Sequence, residues 1–239
     1  MKKTLLLLAL TFCSISCMGQ IKIIPKIGVV VSSQSLEFGK FESRNYRQLQ
    51  NKVGLTAGVG IASELSQSIS IITDIEYVEL GFIDNLKTPW TITKDIYKLK
   101  YLIAPIGLKY YISSNQTFNF FLSPGVYGGL FLEGKHIYSE DRKEHYYHYN
   151  PSFWNGERYI KVNDRRYNYD QFDWGIKLGV GTDINIGKNQ FVIDAQYSLG
   201  MSNVHERIVD DLYESGADGK NRFFSLSVGY LLPVWRKGY

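Results

Sequence analysis

The stretch Phe172-Asp173-Trp174-Gly175-Ile176-Lys177-Leu178-Gly179-Val180-Gly181-Thr182-Asp183-Ile184-Asn185-Ile186 decides the fold. Phe172, Trp174, Ile176, Leu178, Val180, Ile184 and Ile186 fall on one parity. Asp173, Gly175, Lys177, Gly179, Gly181, Asp183 and Asn185 fall on the other. A period of two is the signature of a strand with one apolar face. Val53–Ile61 repeats it, with Val53, Leu55, Ala57, Val59 and Ile61 apolar and Gly54, Thr56, Gly58 and Gly60 between them. The second face carries charges and glycines, unlike the core of a sandwich. Apolar outside and polar inside is the pattern of a β-barrel in lipid.

Working outward, the same alternation marks eight strands, and the fold class is an all-β, eight-stranded, antiparallel up-and-down transmembrane barrel. The strands are Ile23–Ser33, Val53–Ser63, Ser68–Phe82, Tyr97–Ile112, Phe118–Leu132, Phe172–Ile186, Phe191–Met201 and Arg222–Leu232. In the fourth, Tyr97, Leu99 and Tyr101 share one parity and Leu102, Ala104, Ile106, Leu108 and Tyr110 the other. A β-bulge near Tyr101–Leu102 would keep both sets outward. Pro105 and Pro124 each remove a ladder donor, so pairing beside them is expected to be irregular.

The connections alternate in length. Glu64–Gln67, Ser113–Thr117 and Gly187–Gln190 are short; Gln34–Lys52, Ile83–Ile96, Glu133–Gln171 and Ser202–Asn221 are long. Short periplasmic turns and long outer loops are the asymmetry of outer-membrane barrels. An even strand number puts both termini at the periplasmic end. The periplasmic strand ends then carry Tyr110, Tyr111, Phe118, Phe120, Phe191 and Tyr230, and the outer ends Tyr77, Phe82, Tyr97, Phe131, Phe172, Trp174 and Phe224. They are expected to form aromatic belts at the two interfaces.

The N-terminus, MKKTLLLLALTFCSISCMGQ, reads as a signal peptide: Lys2 and Lys3 precede the apolar run Leu5–Phe12, which is too short to span a bilayer. Cleavage after Gly19 makes residues 1–19 the leader and 20–239 the barrel domain. The alternative is a lipoprotein acylated at Cys17, although Ser14 stands where a lipobox usually has Leu. Both cysteines, Cys13 and Cys17, lie in this segment. Cleavage at Gly19 therefore removes disulfide, thiol and thiolate–metal chemistry from the mature chain. The whole chain carries a formal net charge of +4. That is no nucleic-acid footprint, and loss of Lys2 and Lys3 lowers it by two.

Five segments carry a family resemblance: VGLTAGVGIASELSQSISIITDIEY, YKLKYLIAPIGLKYYI, FNFFLSPGVYGGLFLEGK, FDWGIKLGVGTDINIGKNQFVIDAQYSLGMSNV and NRFFSLSVGYLLP. With them the chain resembles the outer membrane β-barrel domain family of porin-like or PorT-like proteins of Gram-negative bacteria. The part around Pro105-Ile106 to Tyr110-Tyr111 and Pro124-Gly125-Val126-Tyr127-Gly128-Gly129 is the most similar, and the Glu133–Gln171 loop departs. The resemblance implies outer-membrane location and, for PorT-like members, a link to a secretion apparatus. It transfers no catalytic residue. Ser227, Gly229, Leu232 and Val234 also resemble the terminal pattern read by the barrel-insertion machinery.

Eight strands leave an interior just wide enough for side chains to fill. The inward positions hold Lys26, Asp74, Glu76, Lys109, Lys177, Asp183 and Asp194. They are read as a lumenal polar network of ion pairs, because an unpaired buried charge costs several kcal/mol; a narrow conduit is the alternative. In the Glu133–Gln171 loop, His145 and His148 form an HxxH beside Glu144. Without a third ligand this is a weak metal signal, so no metal or cofactor is expected. His145, Tyr147, His148, Trp154, Arg165 and Tyr167 instead make a candidate recognition surface, since tyrosine mixed with charge suits adaptable contacts. A surface glycan, lipopolysaccharide phosphate or protein would fit. His136, His145, His148 and His205 all fall in expected outer loops with no nucleophile motif, so the chain is not read as an enzyme. The leading function is a monomeric, non-enzymatic barrel in outer-membrane lipid that presents loops for binding or envelope assembly. A small pore or transporter, and more distantly a lipid-modifying enzyme, are the alternatives.

Overall fold

The computed structural model describes residues 21–37, 47–87, 91–115, 117–142, 152–160, 168–206 and 218–235. Residues 1–20, with Cys13 and Cys17, lie outside them. The elements are β1 (Ile21–Glu37), β2 (Arg47–Glu64), β3 (Ile69–Lys87), β4 (Thr91–Ser114), β5 (Phe118–Arg142), β6 (Ser152–Ile160), β7 (Asn168–Tyr169), β8 (Phe172–Ile186), β9 (Asn189–Gly200), β10 (His205–Glu206), β11 (Asp218–Tyr230) and β12 (Leu232–Trp235). Every pairing is antiparallel. The order β1-β2-β3-β4-β5-β8-β9-β11 closes on itself where Ile27 meets Val228 and Val31 meets Phe224. These eight strands form the expected barrel; β12 continues β11 along β1.

Period-two patterning sets the two faces. Ile27 is 70% exposed and its neighbour Lys26 only 7%. Along β8 the burial pattern alternates from Phe172 through Val180. Backbone groups inside a bilayer find no water, so a closed ring with no free edge is the stable β solution. Asn115 caps one periplasmic turn, its Oδ1 accepting from the Thr117 and Phe118 N–H groups at 2.9 and 2.6 Å. Gly187, with φ of 62°, makes another. The prolines interrupt pairing as expected. The β3–β4 ladder passes from Thr73↔Ile106 to Glu76↔Ile103 at Pro105, and the β4–β5 ladder from Gly107↔Gly125 to Tyr110↔Leu122 at Pro124.

Three expectations need correction. First, the strands run past the apolar band. β1 reaches Glu37, β2 begins at Arg47, β3 and β4 pair out to Lys87↔Ile92, and β5 pairs with β6 as far as Arg142↔Ser152. The residues taken as loops 34–52, 83–96 and 133–171 are therefore partly strand. Lipid imposes the apolar alternation, but a hairpin needs only its backbone ladder, which continues in water. The wall is lopsided, with β4 and β5 24 and 25 residues long and β9 and β11 only 12 and 13.

Second, β4 keeps one phase from Tyr97 to Tyr111, shifting only at Ile112: Tyr97, Leu99, Tyr101 and Ile103 are all buried inside. The bulge sits on β5, where Lys100 pairs with Glu133 but Tyr101 pairs with Phe131, leaving Leu132 as the extra residue. Third, Phe82, Tyr97 and Phe131 are lumenal rather than members of the outer belt. Tyr111 also turns inward at the other end, donating to Asp183. Phe172, Trp174 and Phe224 outside, and Tyr110, Phe118 and Phe120 below, are exposed on the lipid face.

Close approach is required at Gly175, where an added Cβ would lie 2.1 Å from the Leu199 carbonyl oxygen and 2.7 Å from the Tyr127 ring. Gly175→Val is expected to cost about 1–3 kcal/mol by overpacking, measured by reversible urea unfolding in vesicles. An unchanged midpoint would mean that the Tyr127 ring does not rest on Gly175.

Candidate functional site in the lumen and at the outer rim

Read from the periplasmic end, the inward residues of β1 are Lys22, Ile24, Lys26, Gly28, Val30, Ser32 and Gln34; those of β3 are Ser70, Ile72, Asp74, Glu76, Val78, Leu80 and Phe82. Both strands spell the same layers: polar, apolar, charged, apolar. Antiparallel register aligns these layers around the ring.

The periplasmic layer is a recess of about 140 Å³ bordered by Lys22, Glu64, Ser70, Asn119, Asp183 and Gln190. Lys22 Nζ lies 2.8 Å from Glu64 Oε1. Asp183 takes Lys109 Nζ at 3.0 Å on Oδ1 and the Tyr111 hydroxyl at 2.7 Å on Oδ2, and Lys109 stands 4.0 Å over the Phe121 ring. Beyond the recess Ile24, Ala62, Phe121, Val192 and Leu231 form an apolar septum, with Ile72 and Tyr111 packed against it.

The charged layer follows. Lys26 Nζ sits 2.8 Å from Asp74 Oδ2 and 2.7 Å from Glu76 Oε1, and Lys177 Nζ lies 3.5 Å from the same Glu76 oxygen. Ser227 donates to Asp194 Oδ1 at 2.8 Å. The two ammonium groups pair the buried Asp74 and Glu76 carboxylates, as burial of charge demands, while Asp74 Oδ1 accepts no hydrogen bond among the described residues. Two small spaces lie here, about 10 Å³ between Lys26, Glu76 and Gln196 and about 20 Å³ between Asp74, Lys177 and Ser123. Each is room for about one water.

Further out comes a larger apolar plug: Val30, Val78, Leu80, Phe82, Tyr97, Leu99, Tyr101, Ile103, Tyr127, Phe131 and Phe223. A lumen filled by polar groups alone is therefore not what forms. Ring contacts knit the plug, with Tyr101 edge-on to Phe131 at 5.4 Å and Tyr127 edge-on to Phe223 at 5.7 Å. At its outer edge, Phe82, Tyr97 and His136 stack across β3, β4 and β5 at 4.4 and 4.5 Å, and His136 Nε2 lies 2.7 Å from Asp95 Oδ1. Toward the other wall Asp173 is buried and accepts from Ser202, Asn221 and Tyr127.

All seven residues of the expected network are inside the barrel and buried. They form two groups, Lys109 with Asp183, and Lys26, Asp74, Glu76, Lys177 and Asp194, separated by the lower septum. Of the recognition residues, His145, Tyr147, His148, Arg165 and Tyr167 lie outside the described residues. Trp154 is on β6, its backbone paired opposite Glu140. His136 and His205, expected in loops, belong to β5 and β10. Asp173, Tyr127, Asn221 and the His136–Asp95 pair were not singled out. Parity places Asp173 on the inward face of Phe172–Ile186 and Tyr127 on that of Phe118–Leu132, but their convergence depends on strands far apart in sequence.

The family model for the outer membrane protein beta-barrel domain matches residues 19–206. The chain belongs to this family. It is an outer-membrane β-barrel protein. No curated protein matches the sequence. Among solved structures, the barrel is similar to Ail, the attachment invasion locus protein of Yersinia pestis, solved with the heparin analogue sucrose octasulfate. Identity is 18%, over 90% of this chain and 100% of that one, with a TM-score of 0.40. OprG of Pseudomonas aeruginosa shares 12% identity over 91% and 98%, with a TM-score of 0.46. The outer membrane protease OmpT of Escherichia coli shares 10% over 90% and 96%, with a TM-score of 0.48.

Proposed function

We propose that the protein is a closed, non-conducting and non-enzymatic barrel that anchors outer segments for binding a surface glycan or protein, or for envelope assembly. The observation that carries this reading is the pair of apolar layers across the lumen. A permeating ion would shed its hydration at both, which costs far more than thermal energy. The periplasmic recess ends on the lower septum, and the two spaces beside the ion pairs of the charged layer each have room for about one water. Walls that rise past the lipid as β-sheet supply a rigid base for the outer connections, where binding residues commonly sit. His136 is buried against ring faces rather than opening on a cleft, which favours a structural role for it.

Planar-bilayer recording of the purified mature protein tests the reading. No stable unitary conductance is expected, and Tyr101→Ala together with Phe131→Ala is expected to raise leak by thinning the plug. Stable single-channel steps from the wild type would overturn the closed-barrel reading in favour of a small pore.

A further inference from the structure

We infer that Asp173 is a clasp tying the roots of the third and fourth outer connections into one mechanical unit. The inference goes beyond the function proposed above, since it holds whether or not a partner binds there.

Asp173 is the second residue of β8, immediately after the third connection returns to the barrel. Its carboxylate accepts hydrogen bonds from three separate elements: Tyr127 Oη of β5 at 3.2 Å, Asn221 Nδ2 of β11 at 2.9 Å, and Ser202 Oγ, just past β9, at 2.6 Å. It is 3% exposed and makes no ion pair among the described residues. A buried carboxylate without a cation is tolerable only where such donors converge. Asn221 is held in turn by Gln34 of β1, whose Nε2 donates to Asn221 Oδ1 at 3.0 Å. Ser202 Oγ also accepts the Trp174 N–H at 3.0 Å, so one hydroxyl bridges β8 and the segment that leaves β9.

That segment, Met201–Glu206, is bonded on both sides. The Met201 N–H donates to the Trp174 carbonyl at 2.8 Å and the Val204 N–H to the Gly219 carbonyl at 2.8 Å. The Gly219 N–H donates to Asn203 Oδ1 at 2.7 Å. The Asp170 N–H donates to the Val204 carbonyl at 3.3 Å, and β10 pairs with β7 through His205↔Tyr169 and Glu206↔Asn168. Val204 is wholly buried in this joint. The start of the fourth connection is thus laid directly against the end of the third. Among the described residues, the carboxylate beneath them is the one group bonded to β5, to β11 and to the segment leaving β9. A contact that shifts one root shifts the other.

Hydrogen–deuterium exchange of the full mature protein in lipid nanodiscs tests the clasp. Asp173→Ala is expected to speed exchange by about ten-fold or more, the loss of bonds to a charged acceptor, at the amides of Met201, Val204 and Gly219 and also at Asp170. The Leu178 and Val180 amides should keep wild-type protection. Ser202→Ala removes one donor, so the same amides should respond together but less. If Asp173→Ala fails to insert, Ser202→Ala carries the test. Faster exchange at Met201 and Val204 with Asp170 unchanged would overturn the inference, because the two roots would then move independently. Loss of protection through Leu178 and Val180 as well would also overturn it, showing Asp173 to be a general stability element.

Discussion

Lys26→Met is expected to destabilise the barrel by about 3–5 kcal/mol, the usual consequence of stripping one partner from a buried ion pair. Lys26 is the direct partner of both Asp74 and Glu76, and all three are buried. Its removal leaves Asp74 without an ammonium within ion-pair distance among the described residues, and Glu76 with only the longer 3.5 Å contact to Lys177. The spaces beside them admit about one water each, so solvent cannot replace the lost cation. The measurement is reversible urea unfolding in vesicles of defined lipid. The triple variant Lys26→Met, Asp74→Asn, Glu76→Gln should recover most of the loss, since the penalty belongs to the orphaned carboxylates. A single variant as stable as wild type would mean that the charged layer is hydrated and open, which would also undermine the closed-barrel reading.

Val180→Arg is the second large effect, at about 2–4 kcal/mol for a cation on the lipid face near the midplane. Val180 lies halfway along β8, is half exposed on the outer surface, and is flanked by Leu122 of β5 and Ala195 of β9. None of these neighbours can pair an arginine. Phe172→Arg, at the outer end of the same strand and face, should cost about 0–1 kcal/mol, because there the guanidinium reaches headgroups and water. The contrast between the two depths is the informative quantity. Equal costs would place β8 differently in the membrane and would remove the basis for assigning its odd residues to the lumen.

The outward surface was readable because lipid imposes one rule at every second position, and that rule is local. Phe172–Ile186 alone specifies a strand, its lipid face and the inward placement of Lys177 and Asp183. Connection lengths added the number of strands and which end faces out. Lys26, Asp74 and Glu76 could likewise be placed inside by parity. Three matters were not readable. The bulge at Leu132 depends on the register of β5 against β4; because it lies on β5, β4 keeps its phase there and Tyr97 and Tyr101 face the core instead of lipid. Strand continuation past the lipid depends on hairpin pairing in water, where no apolar alternation marks it.

The partners of the inward charges were the third. That Lys26 bridges Asp74 and Glu76, and that Tyr127, Ser202 and Asn221 meet on Asp173, follows only when β1, β5, β8 and β11 are brought into one ring. By itself, then, the sequence determined the barrel, its orientation and the inward charged residues, because each depends on a residue's immediate neighbours and a uniform solvent. The tertiary structure decided the layering of the lumen, the ion-pair partners and the joint at the outer rim. Those depend on contacts between residues far apart in sequence, 187 positions in the Gln34–Asn221 bond, whose meeting is set by register around the closed ring.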